Sequence, residues 1–256
     1  MKSRLDERVV AEGIAESRSR AQALILAGRI LVDDVPVDKA GVRIRDDARV
    51  RLKGELASFV SRGGEKLEGA LEEFGIDVAG LRCLDVGAST GGFSDCLLQR
   101  GAVGIVAVDV GRGQLHEKLR QDPRVRSLER TNARSLERDD LPGPVDLVVI
   151  DVSFISLRQI LPSVAEVAGR ARILALVKPQ FEVGREHVGK GGVVREDALR
   201  RQACDGIQAF AEDFGYRQIG RSDCRIAGPK GNREIFLWLE RSGRDADQDE
   251  KSAGAG

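Results

Sequence analysis

The sequence predicts an α/β protein in two parts: a doubly wound, mainly parallel sheet, preceded by a small α+β segment. Three observations carry this expectation. Strand-like apolar runs recur between helical segments from about residue 59 onward, a glycine-rich turn directly follows the first of them, and the first sixty residues follow a different, shorter rhythm. Alternation of strand and helix calls for a parallel sheet covered on both faces, because a parallel connection needs a crossover long enough to hold a helix.

The runs "LRCLDVGA", "GIVAVDV", "VRSLE", "VDLVVIDVS" and "RILALVKP" read as five parallel strands. The last two segments, "GYRQIGRSDCRI" and "REIFLWLE", have almost no helix between them and read as a closing antiparallel hairpin. Within residues 1–58, "RLDERVVAEG" reads as a short helix stopped by Gly13, and "ESRSRAQALILAG" as a second helix capped by Ser17 or Ser19 and ended by Gly28. "RILVDDVPV" and "ARVRLKG" then read as short strands. The expected organisation is a small domain over 1–58, a link over 59–63, the α/β domain over 64–241, and a disordered tail over 242–256 whose composition offers nothing to bury.

Composition excludes several classes. Lysine plus arginine and aspartate plus glutamate both number 41, so no net charge draws in a polyanion and any basic surface must be local. The four cysteines are far apart with no C-x-x-C pair, which speaks against a zinc site or disulfide framework and for apolar fillers; no metal is expected. No signal peptide and no stretch near the roughly 18 apolar residues of a membrane span occur, so a cytoplasmic protein without stable membrane association is expected.

In the first sixty residues twelve basic residues face ten acidic ones, so placement matters more than bulk charge. Arg18 and Gln22 lie one helical turn apart, and Arg20 projects near the same helix N-terminus, where free N–H groups favour phosphate. A solvated arginine face is the plain alternative. "RLD" at 4–6, "SRSRAQALILAGRILVDD" at 17–34 and the valine-rich hairpin resemble the alpha-L RNA-binding domain first described in ribosomal small-subunit protein four. The resemblance implies RNA contacts from Arg4, Arg18, Arg20 and Gln22. Such domains usually place Asn-Gly or Asp-Gly at the hairpin tip, where Asp33 and Asp34 stand here. Aspartate tolerates the left-handed conformation, so the turn is expected to form with some strain.

"LDVGASTGGFSDCLLQRG" is a strand, a glycine turn and a helix start, the arrangement of a cofactor site at the carboxyl edge of a sheet. Gly87, Gly91 and Gly92 give G-x-x-x-G-G with Asp85 ahead, a poor fit to the G-x-G-x-x-G of dinucleotide sites. The spacing resembles the first motif of S-adenosylmethionine-dependent methyltransferases, whose cofactor has no phosphate and whose sulfonium and amine favour carboxylates. On that reading Asp85, Gly87, Ala88, Ser89, Gly91, Gly92 and Phe93 form the loop. Asp109, followed by Val110, takes the ribose hydroxyls, and Asn132, followed by Ala133, either contacts the adenine edge or caps the next helix. NAD enzymes place an acid where Asp109 stands, and a tight turn without a ligand is the bland alternative.

Lys178 ends the apolar run "RILALVKP", and Asp151 ends "VVIDVS". Neighbouring strands of a doubly wound sheet bring such ends together at the ligand crevice, where a buried lysine is tolerable if paired with a carboxylate. A structural ion pair would satisfy the same two groups. With Lys66 in "SRGGEKLEGALEEFG" and Glu234 in "GNREIFLWLE", these residues resemble the Lys-Asp-Lys-Glu tetrad of the FtsJ-like family of RNA 2′-O-methyltransferases. The combination with the N-terminal domain, and the segments "DVSFISL", "LVKPQFE" and "VGKGGVVR", resemble the TlyA family. The resemblance implies a Rossmann-like seven-stranded methyltransferase sheet, S-adenosylmethionine as cofactor, ribosomal RNA or ribosomal subunits as partner, and 2′-O-methylation of cytidine. The tetrad is expected to titrate as one set. Arg62, Arg185, Lys190 and Arg195 are added as RNA contacts, the last three on a mobile basic lid, for which a functionless surface loop is the alternative. Competing readings are a membrane-active, haemolysin-like protein and a catalytically silent RNA-binding or assembly factor.

Overall fold

A computed structural model describes residues 2–53 and 58–242 and separates into two compact units, Met1–Ala57 and Ser58–Gly256. Of the tail expected to be disordered over 242–256, residues 243–256 lie outside the described residues, while the Ser242 N–H donates to the Gly215 carbonyl at 2.7 Å.

The first unit runs β1 (Lys2–Arg4), α1 (Leu5–Ala11), α2 (Arg18–Leu26), β2 (Ile30–Val32), β3 (Val35–Pro36), β4 (Arg43–Arg45) and β5 (Val50–Leu52). Leu5 and Val9 on α1, and Ala21, Leu24 and Ile25 on α2, share a core with Ile30, Ile44 and Val50. Ser17 is the cap of α2: its hydroxyl accepts the Arg20 N–H at 3.2 Å. Strands β3, β2 and β5 form one antiparallel sheet, while β1 pairs with β4, a bridge the sequence reading did not anticipate. At the hairpin tip both Asp33 (φ 49°) and Asp34 (φ 67°) adopt the left-handed conformation expected there. Each carboxylate secures the turn, Asp33 accepting the Arg49 N–H at 2.9 Å and Asp34 accepting from Arg51 Nε at 2.6 Å.

The hub of this unit is Asp6, which is fully buried. Its carboxylate accepts hydrogen bonds from Arg4 Nε and Nη2, Arg18 Nε and Gln22 Nε2, all at 3.0 Å. These donors, Arg4 first, hold the carboxyl far below the ordinary carboxylate range. The depressed value means that the stability contributed by Asp6 is present above the unfolded carboxyl pKa and is lost as pH falls below it. Asp6→Asn is expected to cost about 1–3 kcal/mol and to weaken the dependence of this unit's stability on acid. The protein's one tryptophan and one tyrosine lie in the second unit, so amide hydrogen exchange across α1 and α2 is the appropriate measurement.

The second unit begins with α3 (Arg62–Phe74) and continues β6 (Arg82–Val86), α4 (Gly92–Gln99), β7 (Gly104–Val108), α5 (Glu117–Arg120), β8 (Val125–Leu128), β9 (Leu147–Ile150), α6 (Leu161–Ala168), β10 (Arg172–Val177), α7 (Pro179–Glu182), α8 (Asp197–Glu212), β11 (Tyr216–Asp223) and β12 (Ile235–Arg241). Its seven strands are ordered β11-β12-β10-β9-β6-β7-β8. From β10 to β8 every neighbour is parallel, whereas β12 runs antiparallel between β10 and β11. The chain winds outward from β6 through β7 to β8, then returns and winds the other way from β9. The crevice between those two directions, at the carboxyl ends of β6 and β9, is where an open sheet of this kind takes its ligand.

Strand alternation sorts the core. Leu84, Val86, Val106, Val108, Val148, Ile150, Ile173, Ala175 and Val177 face one layer. Cys83, Ile105, Ala107, Leu147, Val149, Leu174, Leu176, Phe236 and Trp238 face the other, where α3 contributes Leu67, Ala70 and Leu71. With a period of two, Asp85, Asp109, Asp151, Lys178 and Glu234 all fall on this second face, within one residue of a strand end.

Candidate active site

Register brings the ionisable residues together. In the antiparallel ladder Val177 pairs with Ile235, so Lys178 and Glu234 are the next rung out. In the parallel ladders Ile150 pairs with Val86 of β6 and Ala175 of β10, so Asp151 emerges between the ends of those strands. Lys66 reaches the same edge from the first turns of α3.

Two ion pairs result. Lys178 Nζ lies 2.5 Å from Asp151 Oδ1 and donates to Ser153 Oγ at 2.8 Å; Lys66 Nζ donates to Glu234 Oε2 at 2.6 Å. Glu234 is fully buried, and the Lys66 and Lys178 side chains are only 10% and 9% exposed. The Cys224 thiol, pushed up chiefly by its own burial, also feels Lys66, Glu234 and Asp151. Members of both pairs therefore act on one point. Three cysteines are buried fillers, as expected; Cys224 is half-buried beside the charged cluster.

Next to this cluster, a cavity of about 360 Å³ opens at the crevice. Gly87, Ser89, Asp109, Val110, Asn132, Ala133 and Asp151 line it. Asp109, which lines the cavity, is fixed by two backbone donors, the Ser89 N–H at 2.8 Å and the Gly111 N–H at 2.7 Å, and its carboxylate keeps further lone pairs that could accept from a diol. Asn132 takes the capping role, its side-chain oxygen accepting the Arg134 N–H at 3.1 Å, and the residue also lines the cavity. Among the described residues no lysine or arginine lines the cavity. A pyrophosphate would therefore lack counter-charge, whereas a cationic, phosphate-free nucleoside finds Asp109 and Asp151. The residues present fit S-adenosylmethionine on this ground.

Ala88, Gly91, Gly92 and Phe93, expected at the cofactor, do not line the cavity. Phe93 is buried and stacks on Phe236, ring centroids 6.2 Å apart. Gly91 and Gly92 are needed for close packing. A β-carbon at Gly91 would lie 2.1 Å from Leu119 Cδ1 of α5, and one at Gly92 would lie 2.2 Å from Ser61 Oγ. At Gly87 (φ +86°) it would meet the Asp151 carbonyl at 2.6 Å, so this glycine lets the ends of β6 and β9 converge. Asp85 sits behind the cavity wall, fully buried.

Of the expected RNA contacts, Arg4, Arg18 and Gln22 converge on Asp6, while Arg20, Arg62, Arg185, Lys190 and Arg195 are exposed. The expected mobile lid is tied at its base. The side chain of the buried Asn232 donates to the Gly192 carbonyl at 2.8 Å and accepts the Val194 N–H at 3.1 Å. The sequence reading missed Ser153, Asn232 and Glu182. Glu182 accepts from Ser156 Oγ at 2.6 Å and the Leu157 N–H at 2.8 Å, fastening the loop after Asp151 to α7. Phe154, 92% exposed and at φ 65°, stands on the cavity rim 5.4 Å from the Phe181 ring centroid. Both aromatics stand in motifs that the sequence had marked, DVSFISL and LVKPQFE. A larger hollow of about 1120 Å³ lies along α6 near the amino ends of β10 and β11 and holds none of the tetrad.

Comparison with known proteins agrees with this geometry. Residues 59–241 match the FtsJ-like methyltransferase family and residues 3–50 the S4 domain. The chain belongs to the FtsJ-like methyltransferases, and within them to the TlyA family. It is 48% identical to the 16S/23S rRNA (cytidine-2′-O)-methyltransferase TlyA of Mycobacterium tuberculosis, over 93% of this chain and 90% of that protein. It is 44% identical to Hemolysin A of Brachyspira hyodysenteriae, over 91% and 98% of the two chains. A solved structure described as a hemolysin from Streptococcus thermophilus superimposes with a TM-score of 0.73 at 43% identity, covering 94% of this chain and 89% of that one. Among the described residues, no helix of this chain is long and apolar enough to cross a membrane.

The pairing makes a stability prediction. Removing Lys66 alone leaves the Glu234 carboxylate buried without its counter-charge, so Lys66→Met is expected to cost about 3–5 kcal/mol in denaturant unfolding. Adding Glu234→Gln to the same chain should recover most of that loss, since neither charge then remains to be desolvated.

Proposed function

We propose that this protein transfers a methyl group from S-adenosylmethionine to the 2′-hydroxyl of a ribose in ribosomal RNA, at cytidine, and that it acts in the cytoplasm. The observation that carries the proposal is the juxtaposition of two lysine–carboxylate pairs with a cavity lined by acids and no cations. The rRNA names of the TlyA relatives support the substrate, and the S4 domain supports an RNA partner.

A ribose hydroxyl is a weak acid and a poor nucleophile, so its reaction requires a fixed approach and an outlet for its proton. When bound, the cofactor supplies an electrophilic methyl group on a sulfonium. In the proposed mechanism Gly87, Asp109 and Asn132 hold the nucleoside end of that group, and Asp151 faces its cationic end. Lys178 Nζ, having first given one proton to solvent, accepts the 2′-hydroxyl proton as the 2′-oxygen takes the methyl group. Asp151 and Ser153 fix the amine's direction and Asp151 stabilises the ammonium that forms. Lys66 and Glu234 hold each other and present a donor to the ribose. The requirement for a 2′-hydroxyl then resides in the tetrad, and a DNA strand is not a substrate.

The exposed Arg20, Arg62, Arg185, Lys190 and Arg195, with Arg4 and Arg18 oriented by Asp6, are proposed to contact the phosphate backbone. Such contacts release counterions, so RNA affinity should fall steeply as salt rises; removing Arg20 should reduce the slope of log affinity against log salt. A slope unchanged in Arg20→Gln would remove Arg20 from the interface.

Lys178→Ala is expected to slow transfer of labelled methyl groups to ribosomal subunits by roughly 10²- to 10⁴-fold, with donor affinity measured by calorimetry unchanged. An unaltered rate would exclude Lys178 as the base.

A further inference from the structure

Beneath the cofactor loop is an ionisable group that the proposed transfer step does not use. Asp85 stands on β6 facing α4, fully buried. One carboxylate oxygen accepts a hydrogen bond from Ser94 Oγ of α4 at 2.7 Å; the other, Oδ1, has no partner. From the end of β9 it faces Asp151 and from the end of β7 it faces Asp109, both of which add negative potential. The lysines of the cluster are committed elsewhere, Lys178 to Asp151 and Lys66 to Glu234. A buried carboxylate held only by the hydroxyl and the backbone N–H of Ser94, facing two like charges and with no cation of its own, is an unfavourable species, and the neutral acid is the natural alternative.

A cation arriving at the cavity changes that balance. The methionine end of the proposed donor carries an ammonium and a sulfonium, and Asp151 both lines the cavity and acts on Asp85. We propose that Asp85 is held as the neutral acid in the free protein and releases its proton to solvent when the cationic methionine moiety binds, making it a positioning residue that selects a charged donor over an uncharged nucleoside. The inference rests on the proposed S-adenosylmethionine reading and deepens it. The proton balance is simple: the carboxyl O–H bond breaks, the electron pair stays on Asp85, and the carboxylate is stabilised by the ligand's positive charge. Burial, with Ser94 opposing it and Asp151 adding to it, raises the Asp85 carboxyl from its usual range to about 7, so the exchange falls near neutrality. Because a cation lowers the carboxyl pKa, the release lies in the window below the free-protein value and vanishes above it.

The test is titration calorimetry of the full chain with S-adenosylmethionine in buffers of different ionisation enthalpy. Wild-type protein should release a substantial fraction of a proton at about pH 6 and almost none at about pH 8.5 relative to Asp85→Asn, which serves as the reference for protonation of the ligand itself. 5′-Methylthioadenosine, which lacks both charges, should bind without release. Donor binding whose heat is independent of buffer near pH 6, or equal release in Asp85→Asn, would overturn the inference. Absence of any donor binding would overturn the methyl-donor reading itself. Should Asp85→Asn fail to fold, Ser94→Ala removes the hydroxyl hydrogen bond that, with the Ser94 backbone N–H, holds the carboxyl down. Its release window should move to higher pH, and a window that stays in place counts against Asp85 as the source.

Discussion

The second unit depends on one constraint: ionisable side chains at the ends of central strands must be buried without being left unpaired. Strand alternation directs Asp151, Lys178 and Glu234 to the same face, at the edge where β12, β10 and β9 lie side by side. A lone ammonium or carboxylate there would be desolvated at a cost of several kcal/mol. The chain meets this by matching Lys178 with Asp151 across two strands and Lys66 with Glu234 across the gap from α3. A buried ion pair is a weak source of stability, since two well-packed apolar side chains would serve as well. Its presence here, against a cavity that can hold a nucleoside, is better explained by chemistry than by folding.

The surrounding packing maintains that arrangement. Ser153 and Glu182 come from opposite sides of the same junction: Ser153 accepts from Lys178, and Glu182 binds the loop that carries Ser153 and Phe154. Asn232 does the equivalent for the basic loop after β10, two residues before Glu234. Gly87, Gly91 and Gly92 permit close approaches to the end of β9, to α5 and to Ser61. The glycine loop is thus chiefly a device for bringing elements close together, and its cavity-lining part is limited to Gly87 and Ser89.

The first unit applies the same rule on a smaller scale. Asp6 is a buried anion with four side-chain hydrogen bonds from three residues, and those donors include two of the arginines that the sequence had marked for RNA. Orienting Arg4 and Arg18 on a fixed carboxylate reduces the conformational freedom they would lose on meeting a phosphate. The spacing of Arg18 and Gln22 had suggested a binding face, but its immediate structural cause is a shared acceptor twelve and sixteen residues earlier.

Much of this was legible in local sequence. Apolar alternation located the strands, the positions of Asp109, Asp151 and Lys178 at the ends of runs marked the sheet edge where the cavity opens, and Ser17 and the Asp33, Asp34 tip marked a cap and a turn, because each depends on residues within a few positions of one another. Motif order also made the family recognisable. What the chain alone could not decide was every relation spanning long separations. Examples are the insertion of β12 between β10 and β11, the choice of Glu234 as the partner of Lys66, the packing roles of Gly91, Gly92 and Phe93, and the isolation of Asp85 beneath the cavity. Periodicity states which face a side chain takes; only the assembled sheet states what lies opposite, and for a buried charge that neighbour determines its protonation and its use.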